Sequence, residues 1–136
     1  MEPDSLAKLR QALRTKLNSL EPMLTPAFER EPLLPASVHT SRHRCGKPWC
    51  HCANGGDLHE AVRLQIRFED GHSNRCVSEE EAAFWRPRTD AYRRLRKAAR
   101  SVRKWQKEVL ELLDKIERAR RSVEGLSEED RKRPLR

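Results

Sequence analysis

Apolar residues fall into three distinct rhythms along this chain. Near the start, Leu6, Leu9, Leu13, Leu17 and Leu20 recur at steps of three and four, which places them on one stripe of a helix. Lys8, Arg10, Arg14 and Lys16 fall mostly off that stripe, and Asp4 or Ser5 is suited to cap the first turn. A helix over residues 1–21 follows. Residues 22–41 carry Pro22, Pro26, Pro32 and Pro35. Each removes an N–H donor and biases its predecessor away from helix, so this stretch reads as an extended connector with a helical turn around Phe28.

The second rhythm has period two. Val62, Leu64, Ile66 and Phe68 alternate with Arg63, Gln65 and Arg67, the pattern of a half-buried strand. Glu69-Asp70-Gly71-His72 supplies turn chemistry, and Ser73–Val77 can return as the second strand of a hairpin. Ser78 with Glu81 three residues on is a capping-box pattern. It opens the third rhythm, a long helix over residues 79–124 with a kink or break expected near Pro87. Tyr92, Leu95, Ala99, Val102, Trp105, Val109, Leu112, Ile116 and Ala119 form a heptad-like seam along it. Gly125 can end the helix, and residues 125–136 read as a flexible tail. Phe84, Trp85, Tyr92 and Trp105 are expected in the core or seam, and Trp49 against the connector.

Composition narrows the choice of function. Of 136 residues, 37% are charged and 36% hydrophobic, against about 25% charged in ordinary domains. One small core is affordable. No apolar run approaches the roughly 20 residues of a membrane span, and the first 20 residues lack the apolar stretch of a signal peptide. The expectation is therefore a cytoplasmic protein without a disulfide framework. There is no Gly-rich phosphate loop, no G-x-S-x-G and no H-E-x-x-H, so no catalytic residue is assigned and a non-enzymatic role is expected.

The cysteines carry the most specific chemistry. Cys45, Cys50, Cys52 and His59 follow the spacing C-x4-C-x-C-x6-H. Thiolates and a neutral imidazole suit Zn2+, which takes four such ligands tetrahedrally, and four protein ligands make a closed, structural site. Gly46, Pro48, Gly55 and Gly56 allow the tight turns required. Reduced thiols without metal, or a disulfide framework, are the other readings, although Cys50 and Cys52 are too close to pair easily. Cys76 lies in the expected second strand, where it packs as a small hydrophobe; in the alternative it replaces His59 as a ligand. His51 is expected to point outward, and His39, His43 and His72 to be solvated loop residues or helpers at a phosphate. Asp57 is the one carboxylate within the cluster, too little for an acid–base site.

Charge is polarised along the long helix. The chain carries +8 overall, and residues 86–107 hold ten basic residues against Asp90 alone, a local net of +9. Arg93, Arg96, Arg100, Arg103 and Lys107 fall at steps of three and four and form a ridge beside the seam, with Lys104 adjacent. Solvated faces usually mix signs for i,i+4 pairing; this one does not. With Arg42, Arg44 and Lys47 of the cysteine loop, the ridge is a candidate for phosphate contacts on duplex DNA. Neither the choice between DNA and RNA nor any base preference is encoded legibly.

The stretch Leu33-Leu34-Pro35-Ala36-Ser37-Val38, followed by Arg44-Cys45-Gly46-Lys47-Pro48-Trp49-Cys50-His51-Cys52 and a later His, resembles a family of small bacterial proteins of unknown function. That family carries an R-C-G-K-P-x-C-x-C motif, a hairpin and a long helix, often encoded beside transposases. Its members usually follow the His with Gly-Pro and aromatics, whereas Glu60-Ala61-Val62-Arg63 stands here. The resemblance covers roughly residues 33–118 and implies mobile-element biology.

The expectation is one mostly helical α+β unit: a zinc-stapled β-hairpin over residues 42–78, flanked by an N-terminal helix and a long coiled-coil-like helix. Its expected role is a zinc- and DNA-binding accessory protein in transposition or recombination. The seam would dock a transposase, recombinase or similar protein, or a second copy in a homodimer. The alternative is an adaptor or inhibitor, for example an anti-defence protein, whose basic helix grips an acidic protein surface.

Overall fold

The structure, a computed structural model, describes residues 3–133. Helix α1 (Pro3–Met23) is followed by a 3-10 turn at Thr25–Phe28. Strand β1 (Ala36–His43), a second 3-10 turn (His51–Asn54), and strands β2 (His59–Phe68) and β3 (Gly71–Val77) come next. Helix α2 (Glu79–Arg120) and the short helix α3 (Glu128–Lys132) complete the chain. The fold is α+β with long helices on both sides of a small sheet in sequence. No described helix is long and apolar enough to cross a membrane.

The chain divides into two compact units rather than the one expected. The first joins residues 1–22 with residues 102–136, and the second holds residues 23–101. Helix α2 contributes its C-terminal part to the first and its N-terminal part to the second.

In the helical unit α1 runs antiparallel to the end of α2. Lys16 pairs with Glu108, the Trp105 indole Nε1 donates to the Lys16 carbonyl at 2.6 Å, and Ser5 and Leu9 share a cavity with Lys115 and Arg118. The expected seam residues Val102, Trp105, Val109, Leu112 and Ile116 are half-buried, as are Leu6, Leu9, Leu13 and Leu20. Leu17 departs from the stripe and is 55% exposed, while Lys16 turns inward. At a step of four, Leu13 leads to residue 17, but at a step of three it leads to Lys16, whose long apolar stem can line the seam with its ammonium on Glu108. The tail is not featureless: Ser127 and Asp130 form a capping box that opens α3. The last three residues of the expected tail, 134–136, lie outside the described residues. Helix α1 begins at Pro3, so Ser5 sits within its first turn; the side chain of Asp4 lies outside the described residues.

In the mixed unit the sheet has three antiparallel strands in the order β1-β2-β3. The hairpin β2–β3 is present, with Phe68 opposite Gly71. The connector also yields a strand: β1 pairs with β2 from Ala36 opposite Ile66 to His43 opposite His59. Its sequence, Ala-Ser-Val-His-Thr-Ser-Arg-His, offers Val38 alone as a large apolar residue, so pairing with β2 rather than its own pattern makes it a strand. His39, His43 and His72 accordingly stand on strands, all exposed.

The buried set of this unit is small. Leu64 at the middle of the central strand is fully buried, as are Cys52 of the second 3-10 turn and Ala82, Thr89 and Ala91 of α2, and Ala98 is nearly so. Alanines at buried helix positions let the backbone approach its neighbours closely. Thr89 meets its hydrogen-bonding need within the helix by donating to the Arg86 carbonyl at 3.1 Å. The Leu34 N–H donates to the Arg88 carbonyl and the Arg67 N–H to that of Pro35, tying the connector to both helix and sheet. Pro87 does not break α2. Its missing N–H orphans the Ala83 carbonyl, but both residues are exposed, where water can replace the bond.

Candidate metal centre and basic face

The end of the β1–β2 ladder creates the cysteine site. Pairing of His43 with His59 brings the two strand ends together, so the 15 residues between them must close as a compact loop. The Cys50 N–H donates to the Lys47 carbonyl and the Ala53 N–H to that of Cys50. Gly46 (φ +80°) and Gly55 (φ +84°) occupy the left-handed region that side chains rarely adopt. Gly56 is required for a different reason: a Cβ there would lie 2.4 Å from the His51 carbonyl oxygen, to which Gly56 itself donates.

Cys45, Cys50, Cys52 and His59 are placed to bind a metal ion. Their ligand atoms all lie within 4.8 Å of one another, with Cys45 Sγ 3.6 Å from Cys52 Sγ and Cys50 Sγ 3.1 Å from His59 Nε2. Tetrahedral bonds of about 2.3 Å to sulfur and about 2.0 Å to nitrogen put neighbouring ligand atoms roughly 3.5–3.8 Å apart. The donor set therefore approaches such a geometry: the 3.1 Å pair needs to open by about 0.4 Å and the widest pair, within 4.8 Å, to close by about 1 Å. All four cysteines are free thiols, and Cys52 is buried while its three partners are half-buried.

The thiols are electrostatically unequal. For Cys52, a backbone N–H bond from Cys45 dominates and holds the thiol below its ordinary value; the neighbouring thiols and Arg44 act in the same direction against burial. For Cys50, the Cys52 N–H favours the thiolate, but burial and the thiols of Cys52 and Cys45 outweigh it and push the thiol up. Close sulfurs resist carrying several negative charges at once, and a bound cation relieves that conflict.

His51 is exposed, as expected, with its Nδ1 3.7 Å from Cys50 Sγ and its ring 5.3 Å from that of His59. Other residues depart from expectation. Cys76 is exposed and stands opposite Arg63 on β3, so it neither packs inward nor joins the ligand set. Trp49 does not pack against the connector but is 81% exposed at the loop tip, and Phe84 is 55% exposed rather than in the core. The Arg88 guanidinium lies 4.5 Å from the centroid of the Phe84 ring, a cation–π contact.

The basic candidates differ in how free they are. Arg42 pairs with Glu60 at 3.0 Å, and Arg44 donates to the Cys52 carbonyl at 3.1 Å, which makes it part of the loop's framework. Lys47 is exposed. On α2, Arg93 faces Asp90 at 3.7 Å, and Arg94 is clasped by Glu29 through its Nε and Nη2. Among the described residues, Arg96, Arg100, Arg103, Lys104 and Lys107 form no ion pair, and all five are exposed. Arg67 of β2 was not among the candidates, because its place in the strand alternation explained it. It lines a groove with Arg93, Arg96 and Arg100.

No protein-family model, curated protein or solved structure matches this chain.

Proposed function

We propose that this chain is a non-enzymatic zinc protein that binds nucleic acid as an accessory of a bacterial mobile element. The observation that carries the reading is the unneutralised charge of α2: of the ten basic residues between Arg86 and Lys107, only Arg93 and Arg94 meet a carboxylate among the described residues. Such a field attracts a polyanion, and each phosphate neutralised releases counterions. Zn2+ on Cys45, Cys50, Cys52 and His59 has a structural task, since a four-ligand site leaves no position for substrate. It fixes the loop that presents Lys47, with Arg44 bonded to the Cys52 carbonyl as part of its framework. The mobile-element setting rests on the resemblance of the Arg44–Cys52 motif.

The test is fluorescence anisotropy with random duplex DNA over a range of salt concentrations, using the full zinc-loaded chain. Changing Arg93, Arg96, Arg100 and Arg103 together to Gln should flatten the log–log salt slope by roughly three to four, at about 0.9 per phosphate. Absence of binding at low salt overturns the reading. One observation favours a protein partner instead: Leu17, Leu110 and Leu113 of the helical unit are each at least 45% exposed. A tight stoichiometric protein complex without nucleic-acid binding would select an adaptor or inhibitor role.

A further inference from the structure

In the mixed unit, four guanidinium groups from two different elements line one groove. Arg67 comes from the end of β2 and Arg93, Arg96 and Arg100 from α2, with Ser37 and Tyr92 also in the wall; the groove encloses about 310 Å³. Among the described residues, no carboxylate lines it. Among its arginines only Arg93 has an ion-pair partner in the described residues, and at 3.7 Å to Asp90 that contact is loose.

This arrangement differs from a solvated charge run. Arg93, Arg96 and Arg100 occupy one helix face over about 10 Å, at 1.5 Å per residue. Arg67 is brought opposite them by the sheet, its own N–H bonded to the Pro35 carbonyl. Like charges that converge on a concavity repel each other unless an anion joins them. The hydroxyls of Ser37 and Tyr92 add neutral donors, so the wall offers hydrogen bonds as well as charge. Guanidinium forks match the planar spacing of phosphate oxygens and bind them bidentately. The roughly 10 Å run of arginines on α2 suits two successive phosphates of one strand.

We propose that this groove is a phosphate-binding site and that it seats the backbone of one nucleic-acid strand. The second clause rests on the nucleic-acid reading above; the first does not. Arg67 and Arg96 grip phosphate oxygens from opposite walls, Arg100 extends the track, and Arg93 exchanges its contact with Asp90 for the ligand.

Two arms test it with the full zinc-loaded chain. The first titrates inorganic pyrophosphate and follows the arginine Nε–H signals by NMR. Saturable shifts at Arg67 and Arg96, with Arg118 unmoved, support the phosphate site; no shift, or equal shifts at all arginines, overturns it. The second measures duplex DNA affinity for Arg67→Gln/Arg96→Gln against the equal-charge control Lys8→Gln/Arg10→Gln on exposed positions of α1. Each lost charge-assisted contact is expected to weaken binding on the order of tenfold, and the control by less than about twofold. Unchanged zinc content and circular dichroism establish that both variants fold. Equal losses in the two variants overturn the groove as the seat of the strand while leaving nucleic-acid binding intact. Saturable pyrophosphate binding without any DNA binding by the parent chain overturns the nucleic-acid reading and retains the phosphate site.

Discussion

Removing the metal should unfold the mixed unit, and the structure says why so small a change has so large a result. Among the described residues, the side chains below 2% exposure with the greatest volume are Leu64, Thr89 and Cys52. Burying one leucine contributes about 1.5–3 kcal/mol, and each buried methyl of Ala82, Ala91 and Ala98 about 0.8 kcal/mol. A whole domain retains only about 5–15 kcal/mol after entropy is subtracted. Structural zinc in comparable small sites supplies an apparent 10–16 kcal/mol or so at neutral pH, as large as that whole margin. Loss of 5 kcal/mol alone lowers Tm by about 20–40 °C in a unit of this size. The assay is thermal unfolding followed by circular dichroism, before and after a strong chelator, with zinc content measured in parallel. Cys52→Ser should behave like the chelated protein, because it deletes a ligand that is also buried. Restoring zinc should restore the melt of the parent chain and not that of the variant. A fully metal-free chain whose Tm falls by less than about 5 °C would refute the reasoning, since the core would then suffice alone.

Other consequences are narrower. Gly56→Ala should weaken metal retention without touching a ligand, because its Cβ meets the His51 carbonyl oxygen at 2.4 Å; competition with a colorimetric chelator reads this, and unchanged retention contradicts the loop geometry. Trp105→Phe should destabilise the helical unit by about 1 kcal/mol through the lost bond to the Lys16 carbonyl, read by urea denaturation; a neutral result contradicts the in-chain pairing of α1 with α2. The Lys16 hydrogen bond holds the Glu108 carboxyl below its ordinary value of 4.5, so its stabilisation is complete above that value and fades as pH falls through the lower folded value. Carbon NMR of the Glu108 carboxyl should show this depression, and Lys16→Met should abolish it; titration at or above 4.5 in the parent chain contradicts the pairing.

The parts of the fold readable from the sequence were those with strong internal period. The α1 stripe, the Val62–Phe68 alternation and the α2 seam each specify an element by residues it contains. Strand β1 was not readable, because Val38 stands alone among small and polar residues and the partner β2 supplies the order. At Pro87 a kink or a break was expected, and α2 continues through it unbroken, with the orphaned Ala83 carbonyl at an exposed position. The metal ligands were legible because a closed site demands its donors within a short loop. The groove was not, since Arg67 meets the α2 arginines only through tertiary packing.

X-ray absorption at the zinc edge of this 136-residue chain, with metal counted by native mass spectrometry, tests the central claim most directly. One zinc per chain is predicted, bound by three sulfurs near 2.3 Å and one imidazole nitrogen near 2.0 Å. His59→Ala should replace that nitrogen by oxygen or lose the metal altogether. A chain purified without chelators that neither retains nor takes up zinc would contradict the account, as would a shell in which His59→Ala changes nothing.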